Sequence, residues 1–270
     1  MFKTRLLSGI LLIVIALATI ISGGAILFAT TFIISLIGLR EFYKVMNVDE
    51  SKGMTSLALA GYGGTIGIYL LIYFGLEEHL LEAAIGILVV MMFVYVFTFP
   101  KYQSIQVMSA YFGVFYVAVM LSYIYRTRML TDGAFLVWLI FICSWGCDTC
   151  AYCVGMLIGK HKMAPKLSPK KSVEGAIGGI VGAAIIGGIY ALVVTKYLTT
   201  TRNTIIIFMV ISAIGAMISQ VGDLAASAIK RNHNIKDYGT LIPGHGGILD
   251  RFDSVIFTAP IIYFLGTMFL

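Results

Sequence analysis

Residues 204–218 read TIIIFMVISAIGAMI, and residues 219–253 continue SQVGDLAASAIKRNHNIKDYGTLIPGHGGILDRFD. The first run carries no charge. The second holds four Asp, two Lys, two Arg and two His. An apolar run flowing into such a stretch reads as a membrane helix that ends at a polar boundary. Charge inside or beside a bilayer is costly and marks function by default.

The remainder of the chain fits that reading. It has 270 residues, of which 59% are hydrophobic and 12% charged, against roughly 25% charged in a soluble domain. The mean hydropathy is +0.95. Apolar runs recur from end to end without the alternation of a transmembrane barrel. The expected fold is therefore all-α, a polytopic integral membrane protein. Leu6–Ile21 has the apolar core of a signal peptide. Further apolar segments follow at once, so a retained first helix is the simpler reading.

About nine transmembrane helices can be drawn, at 5–22, 24–39, 55–75, 82–99, 105–125, 135–158, 174–195, 204–228 and 252–270. With the N-terminus cytoplasmic, only Arg126, Arg128, Lys196 and Arg202 fall outside. The other fifteen basic residues, Lys52 among them, fall inside. This bias follows the positive-inside rule. It also accounts for the net charge of +6 without nucleic acid as a partner. The chain is expected to divide into an N-terminal transmembrane scaffold, 1–130, and a C-terminal catalytic region, 131–270. No internal repeat of the transporter kind is visible. The two longest polar loops, about 160–173 and 229–251, are both cytoplasmic, which places chemistry at that interface.

Cys143, Cys147, Cys150 and Cys153 share one helix stripe. Four ligands on one rigid helix cannot easily wrap a tetrahedral ion, so small packing residues are the expected role. Asp223 sits inside an apolar helix with Ser227 on the same face and Lys230 and Arg231 a turn later. Arg231 alone also fits a side chain snorkelling to the interface. Downstream comes Pro243-Gly244-His245-Gly246-Gly247. Glycines there let backbone approach a ligand, and turn amides form anion nests. Asp250, Arg251 and Asp253 follow. Asp223, Asp250 and Asp253 together make an oxygen-rich set suited to Mg²⁺. Asp250 could instead cap the last helix, and His245 could simply pin its loop. Upstream, Asp148 is the only charge between Asp132 and Lys160. It precedes the basic loop that holds Ser168, Lys170, Lys171 and Ser172. Lys and Arg neutralise phosphate oxygens while carboxylates hold the bridging metal, so a phosphate-rich ligand is expected. The loop lacks Walker A spacing.

These residues resemble the phosphatidate cytidylyltransferase, or CDP-diacylglycerol synthase, family. The family signature is filled by Ser227, Lys230, Arg231, Lys236, Asp237, Gly239, Pro243, His245, Gly246, Gly247, Asp250, Arg251 and Asp253, without a departure. Upstream, Trp145, Asp148, Tyr152 and Ser168–Gly175 meet a second family-like pattern. The specific resemblance covers roughly the C-terminal half. It implies an enzyme of the cytoplasmic (inner) membrane, with its active site facing the cytoplasm. The enzyme would convert CTP and phosphatidic acid to CDP-diacylglycerol and pyrophosphate, with Mg²⁺ as cofactor and a homodimer as the assembly.

On that resemblance, the phosphatidate oxygen attacks the α-phosphorus of CTP in line, and catalysis rests on positioning and electrostatics. The candidate catalytic set is Asp148, Asp223, Lys230, Arg231, His245, Asp250, Arg251 and Asp253. Within it, Asp223, Asp250 and Asp253 are the metal candidates. Lys170, Lys171, Ser172, Ser227, Gly246 and Gly247 are the nucleotide-binding candidates. A phosphate monoester is already charged near neutral pH, so His245 need not act as base. Two alternatives share parts of this pattern: a CTP-dependent lipid kinase, which would release CDP, and an ion or organic-phosphate transporter.

Overall fold

The computed structural model describes residues 2–49, 53–199 and 203–269. Lys52 and Arg202, both used in the charge map, lie outside the described residues. Among the described residues nine helices carry the fold: α1 (Phe2–Ser22), α2 (Gly24–Val45), α3 (Ser56–Tyr73), α4 (Leu80–Phe97), α5 (Ser104–Met129), α6 (Gly133–Ile158), α7 (Val173–Val194), α8 (Thr204–Asn232) and α9 (Leu249–Phe269). Eight of them, α2 to α9 with the short turns that flank α4 and α7, are long and apolar enough to cross a membrane, and Ser8–Ser22 of α1 is a shorter apolar run. This is an all-α polytopic membrane protein.

Local chemistry sets the helix ends. Gly23 and Gly24 take positive φ, +62° and +47°, which breaks α1 from α2. The Thr55 hydroxyl caps α3 by accepting from Ala58 N at 3.1 Å, and the Ser172 hydroxyl caps α7 by accepting from Gly175 N at 3.1 Å. Two helices contain π turns, Val114–Val119 in α5 and Ile142–Gly146 in α6. The loop expected at 160–173 is partly ordered as an antiparallel hairpin of β1 (Lys162–Ala164) and β2 (Ser168–Ser172). Glu174 closes its base. The Glu174 carboxylate accepts from Lys160 N at 3.1 Å and His161 N at 3.2 Å, and lies 2.6 Å from His161 Nδ1.

The helices form two compact units. One holds Met1–Thr19, Gly24–Ser122 and Asp237–Asp250; the other holds Ile20–Gly23, Tyr123–Lys236 and Arg251–Leu270. The units interleave along the sequence: Asp237–Asp250 joins the first, where α2 holds it.

In the first unit α2 buries Leu39, Phe42 and Tyr43. The Tyr43 hydroxyl donates to Ala110 O at 2.8 Å. A Cβ on Gly113 would stand 2.8 Å from both aromatic rings, so glycine there is what lets α5 approach. The second unit is built on small residues. Gly175, Gly179, Ala183, Gly187 and Ala191 recur every four positions along α7 and are buried. Such stripes let backbones approach where lipid supplies no hydrophobic drive between helices. Cys147 Sγ lies 2.9 Å from the Cβ position of Gly179, and Cys150 Sγ lies 2.6 Å from that of Gly182. These cysteines pack as small side chains.

Gly179→Leu should therefore force α6 and α7 apart. Overpacking of this kind costs typically about 1–3 kcal/mol, so the thermal midpoint in detergent should fall clearly, while Gly63→Ala, in open space, should leave it near wild type.

Candidate active site

In the second unit a cavity of about 470 Å³ opens between α6, α7, α8 and the hairpin. Its polar wall is made of Asp148, Ser168, Lys170, Lys171, Ser172, Gln220 and Asp223. Tyr152, Met156 and Met163 give it an apolar side. The polar groups arrive by three routes. Asp148 follows the π turn of α6, a distortion frequently found at functional sites. Lys170 and Lys171 come from β2, and Ser172 both ends that strand and caps α7. Asp223 and Gln220 project from α8. Gln220 Nε2 donates to Ala176 O at 2.9 Å, which ties α8 to α7 beside the cavity.

Lys171 Nζ is paired with Asp223 Oδ2. The Ser227 hydroxyl donates to the other Asp223 oxygen at 3.4 Å. Asp148 lies within electrostatic range of Asp223, Lys171 and Arg251. A second pair stands on α8 and α9: Lys230 Nζ lies 3.8 Å from Asp253 Oδ2, with the two side chains 10% and 14% exposed. Asp253 is in turn within electrostatic range of Asp223 and Asp148. Arg251 is held by its main chain, which accepts from Trp145 Nε1 at 3.3 Å. The Nε of Arg251 is buried without a hydrogen-bond partner. A buried guanidinium donor left unpaired is costly and suits a polar ligand.

The other expected residues have partners of their own. Arg231 Nη1 donates to Ile235 O at 2.9 Å and is exposed, closing the turn that follows α8. In the first unit His245 Nδ1 lies 2.8 Å from the Ser8 hydroxyl, so the imidazole pins its loop to α1. Gly244 and Gly246 adopt positive φ, +78° and +83°, which makes glycine the fitting residue there. Asp250 is buried, and its Oδ2 accepts from Tyr238 N at 2.7 Å and Gly247 N at 3.0 Å. It braces the loop rather than capping its own helix. Glu41 of α2, absent from the expected set, is also buried and accepts from Ile248 N at 3.0 Å and Leu249 N at 2.8 Å. Little in the sequence singles it out: it stands between Arg40 and Lys44, just past the span drawn at 24–39.

Among the described residues no three His, Cys, Asp or Glu side chains form a metal cage. Mg²⁺ is usually held by one or two carboxylates together with substrate phosphates and water. The mutually interacting carboxylates of Asp148, Asp223 and Asp253, beside Lys171 and Lys230, fit an ion of that kind. The set is chemically suited to a polyphosphate: cations for the oxygens, carboxylates for a divalent ion.

Lys230→Met should leave the Asp253 carboxylate buried without its cation. Breaking a buried pair costs roughly 3–5 kcal/mol, and the residual exposure of this one lowers the expectation to the bottom of that range. The thermal midpoint should fall, and Lys230→Met/Asp253→Leu should recover part of the loss.

The description of the family model that matches residues 3–269 is "Cytidylyltransferase family". A protein of Staphylococcus epidermidis named phosphatidate cytidylyltransferase is 32% identical over 266 residues, covering 97% of this chain and 98% of that protein. Proteins of the same name from Staphylococcus saprophyticus and Staphylococcus aureus are each 30% identical, over 268 and 269 residues, again covering 97% and 98%. The chain belongs to the cytidylyltransferase family.

Proposed function

We infer that this member of the family transfers the cytidylyl group of CTP to phosphatidic acid, giving CDP-diacylglycerol and pyrophosphate. The observation that carries the reading is the cavity in which Asp148 and Asp223 face Lys170 and Lys171, within a chain similar from end to end to phosphatidate cytidylyltransferases. A phosphatidate oxygen forms the new bond to the α-phosphorus, the bond from that phosphorus to the β-phosphate bridge breaks, and pyrophosphate leaves. Negative charge gathers on the nonbridging and leaving oxygens, where preorganised cations act most strongly.

We propose that Lys170 and Lys171 neutralise the polyphosphate and that Arg251 donates its buried Nε to a substrate oxygen. Lys171 would exchange Asp223 for phosphate as the substrate enters. Asp223 and Asp253 would hold Mg²⁺, with Asp148 contributing to the same field. The ion supplies charge neutralisation on phosphate oxygens when bound. Asp250, expected from the sequence to join the metal set, is better suited to bracing, because its carboxylate is engaged by two loop amides. His245, engaged with Ser8, is not required as a base. The charge map supports a cytoplasmic N-terminus and a site open to the cytoplasm at the cell membrane, where soluble CTP meets a membrane-held lipid. We propose a homodimer as the assembly, as the family resemblance implies.

Purified protein given Mg²⁺, labelled CTP and phosphatidic acid should produce pyrophosphate and a CDP-lipid in equal amounts. Release of CDP instead would favour the lipid-kinase alternative. Chelation of divalent ions should abolish turnover, and readdition of Mg²⁺ should restore it. Asp253→Asn should lower kcat by at least about a hundredfold, on the scale of losing a charge-stabilising group, with the protein still folded and membrane-inserted; wild-type turnover would remove Asp253 from the metal set. Lys196→Ala lies on the proposed outer side, and severe loss of activity there would count against the topology.

A further inference from the structure

The motif from Ser227 to Asp253 is one continuous string, yet its loop is held in place by a residue 207 and 208 positions from its partners. Glu41 Oε1 accepts from Ile248 N at 3.0 Å and Glu41 Oε2 from Leu249 N at 2.8 Å. These are amides at the start of α9, where a helix has no partners of its own and a negative charge is favoured. The loop is also shaped to receive this carboxylate. A Cβ on Gly239 would lie 2.5 Å from Glu41 Oε1, and one on Gly247 would overlap the same group. Neither glycine has positive φ, so close approach, and not backbone conformation, is what calls for glycine at these two positions. Asp250 completes the brace by joining Tyr238 and Gly247, either end of the loop, through one oxygen.

We propose that Glu41 is a positioning residue for the cytidylyl transfer. It fixes the 237–250 loop and the first turn of α9, the helix that goes on to carry Arg251 and Asp253. Gly239 and Gly247 are glycine in order to admit it. The inference rests on the reading that this loop and helix serve the active site.

The test uses Glu41→Ala, Glu41→Gln and Gly247→Ala in the full-length detergent-purified protein, with kcat, KM for CTP and hydrogen exchange of peptides covering 237–250. Glu41→Ala should lower kcat roughly tenfold or more, the scale of a small misplacement of reacting groups, with KM for CTP within about twofold. Exchange at the Ile248 and Leu249 amides should accelerate while peptides from 123–236 keep wild-type protection. Glu41→Gln retains one accepting oxygen and should recover part of kcat. Gly247→Ala should impair the wild type and cost much less in the Glu41→Ala background, because the overlap is then gone. Wild-type kcat in Glu41→Ala, or unchanged loop exchange, would overturn the proposal. If Glu41→Ala does not fold, Glu41→Gln decides: wild-type kcat together with wild-type exchange would equally overturn it. Failure of the site reading looks different. Loop exchange would respond to Glu41 as expected, but Asp253→Asn would keep full turnover.

Discussion

An ionised side chain beside lipid must find a counter-charge or a set of hydrogen bonds, because water is not there to solvate it. Four carboxylates of this fold meet that requirement in two ways. Asp223 and Asp253 are paired with Lys171 and Lys230. Glu41 and Asp250 are instead surrounded by main-chain amides. The first kind of solution can be exchanged for a ligand, since a cation released from a carboxylate is available to a phosphate. The second cannot be exchanged without loosening the backbone. The same constraint therefore divides the carboxylates into those free to do chemistry and those that hold the scaffold still.

That division explains how the second unit can be both tightly packed and reactive. Small residues along α7 bring three helices close enough to frame a narrow cavity, and the polar groups enter it from a strand, from a helix distorted by a π turn, and from the middle of α8. Gln220 and Ser172 contribute to helix ties or caps while also lining the cavity. Packing and site are built from the same side chains.

Much of this was legible in the sequence. Apolar runs located the helices to within a few residues, because a bilayer demands a fixed length of apolar chain. Asp148, Asp223 and the lysines of residues 168–172 stood out because charge in such surroundings is rare. What was not legible depended on distance along the chain or on main-chain geometry. Glu41 meets its partners 207 and 208 residues away, and no local pattern announces that. The hairpin at 162–172 lacks the alternating apolar pattern that would betray a strand, since it is held by Glu174 and not by a buried face. Asp250 was read as an ion ligand or a helix cap because the carboxylate chemistry suits both, and only the fold reveals which amides reach it. Arg231 fits the motif yet is engaged with Ile235 O in the turn that follows α8.

The π turn at Ile142–Gly146 has a consequence for how this chain can change over evolutionary time. A π turn is one residue more than an α-helix needs for the same path, and each residue turns a helix by about 100°. Deleting a single residue within the turn would restore regular winding on the same path, whereas deleting one from the regular windings around it would swing everything beyond, Asp148 included, by about 100°. Substitutions in α6 are read one side chain at a time, but a length change outside the π turn is read by the whole remainder of the helix. The turn is therefore the place in α6 where the chain can lose a residue and still present Asp148 to the cavity.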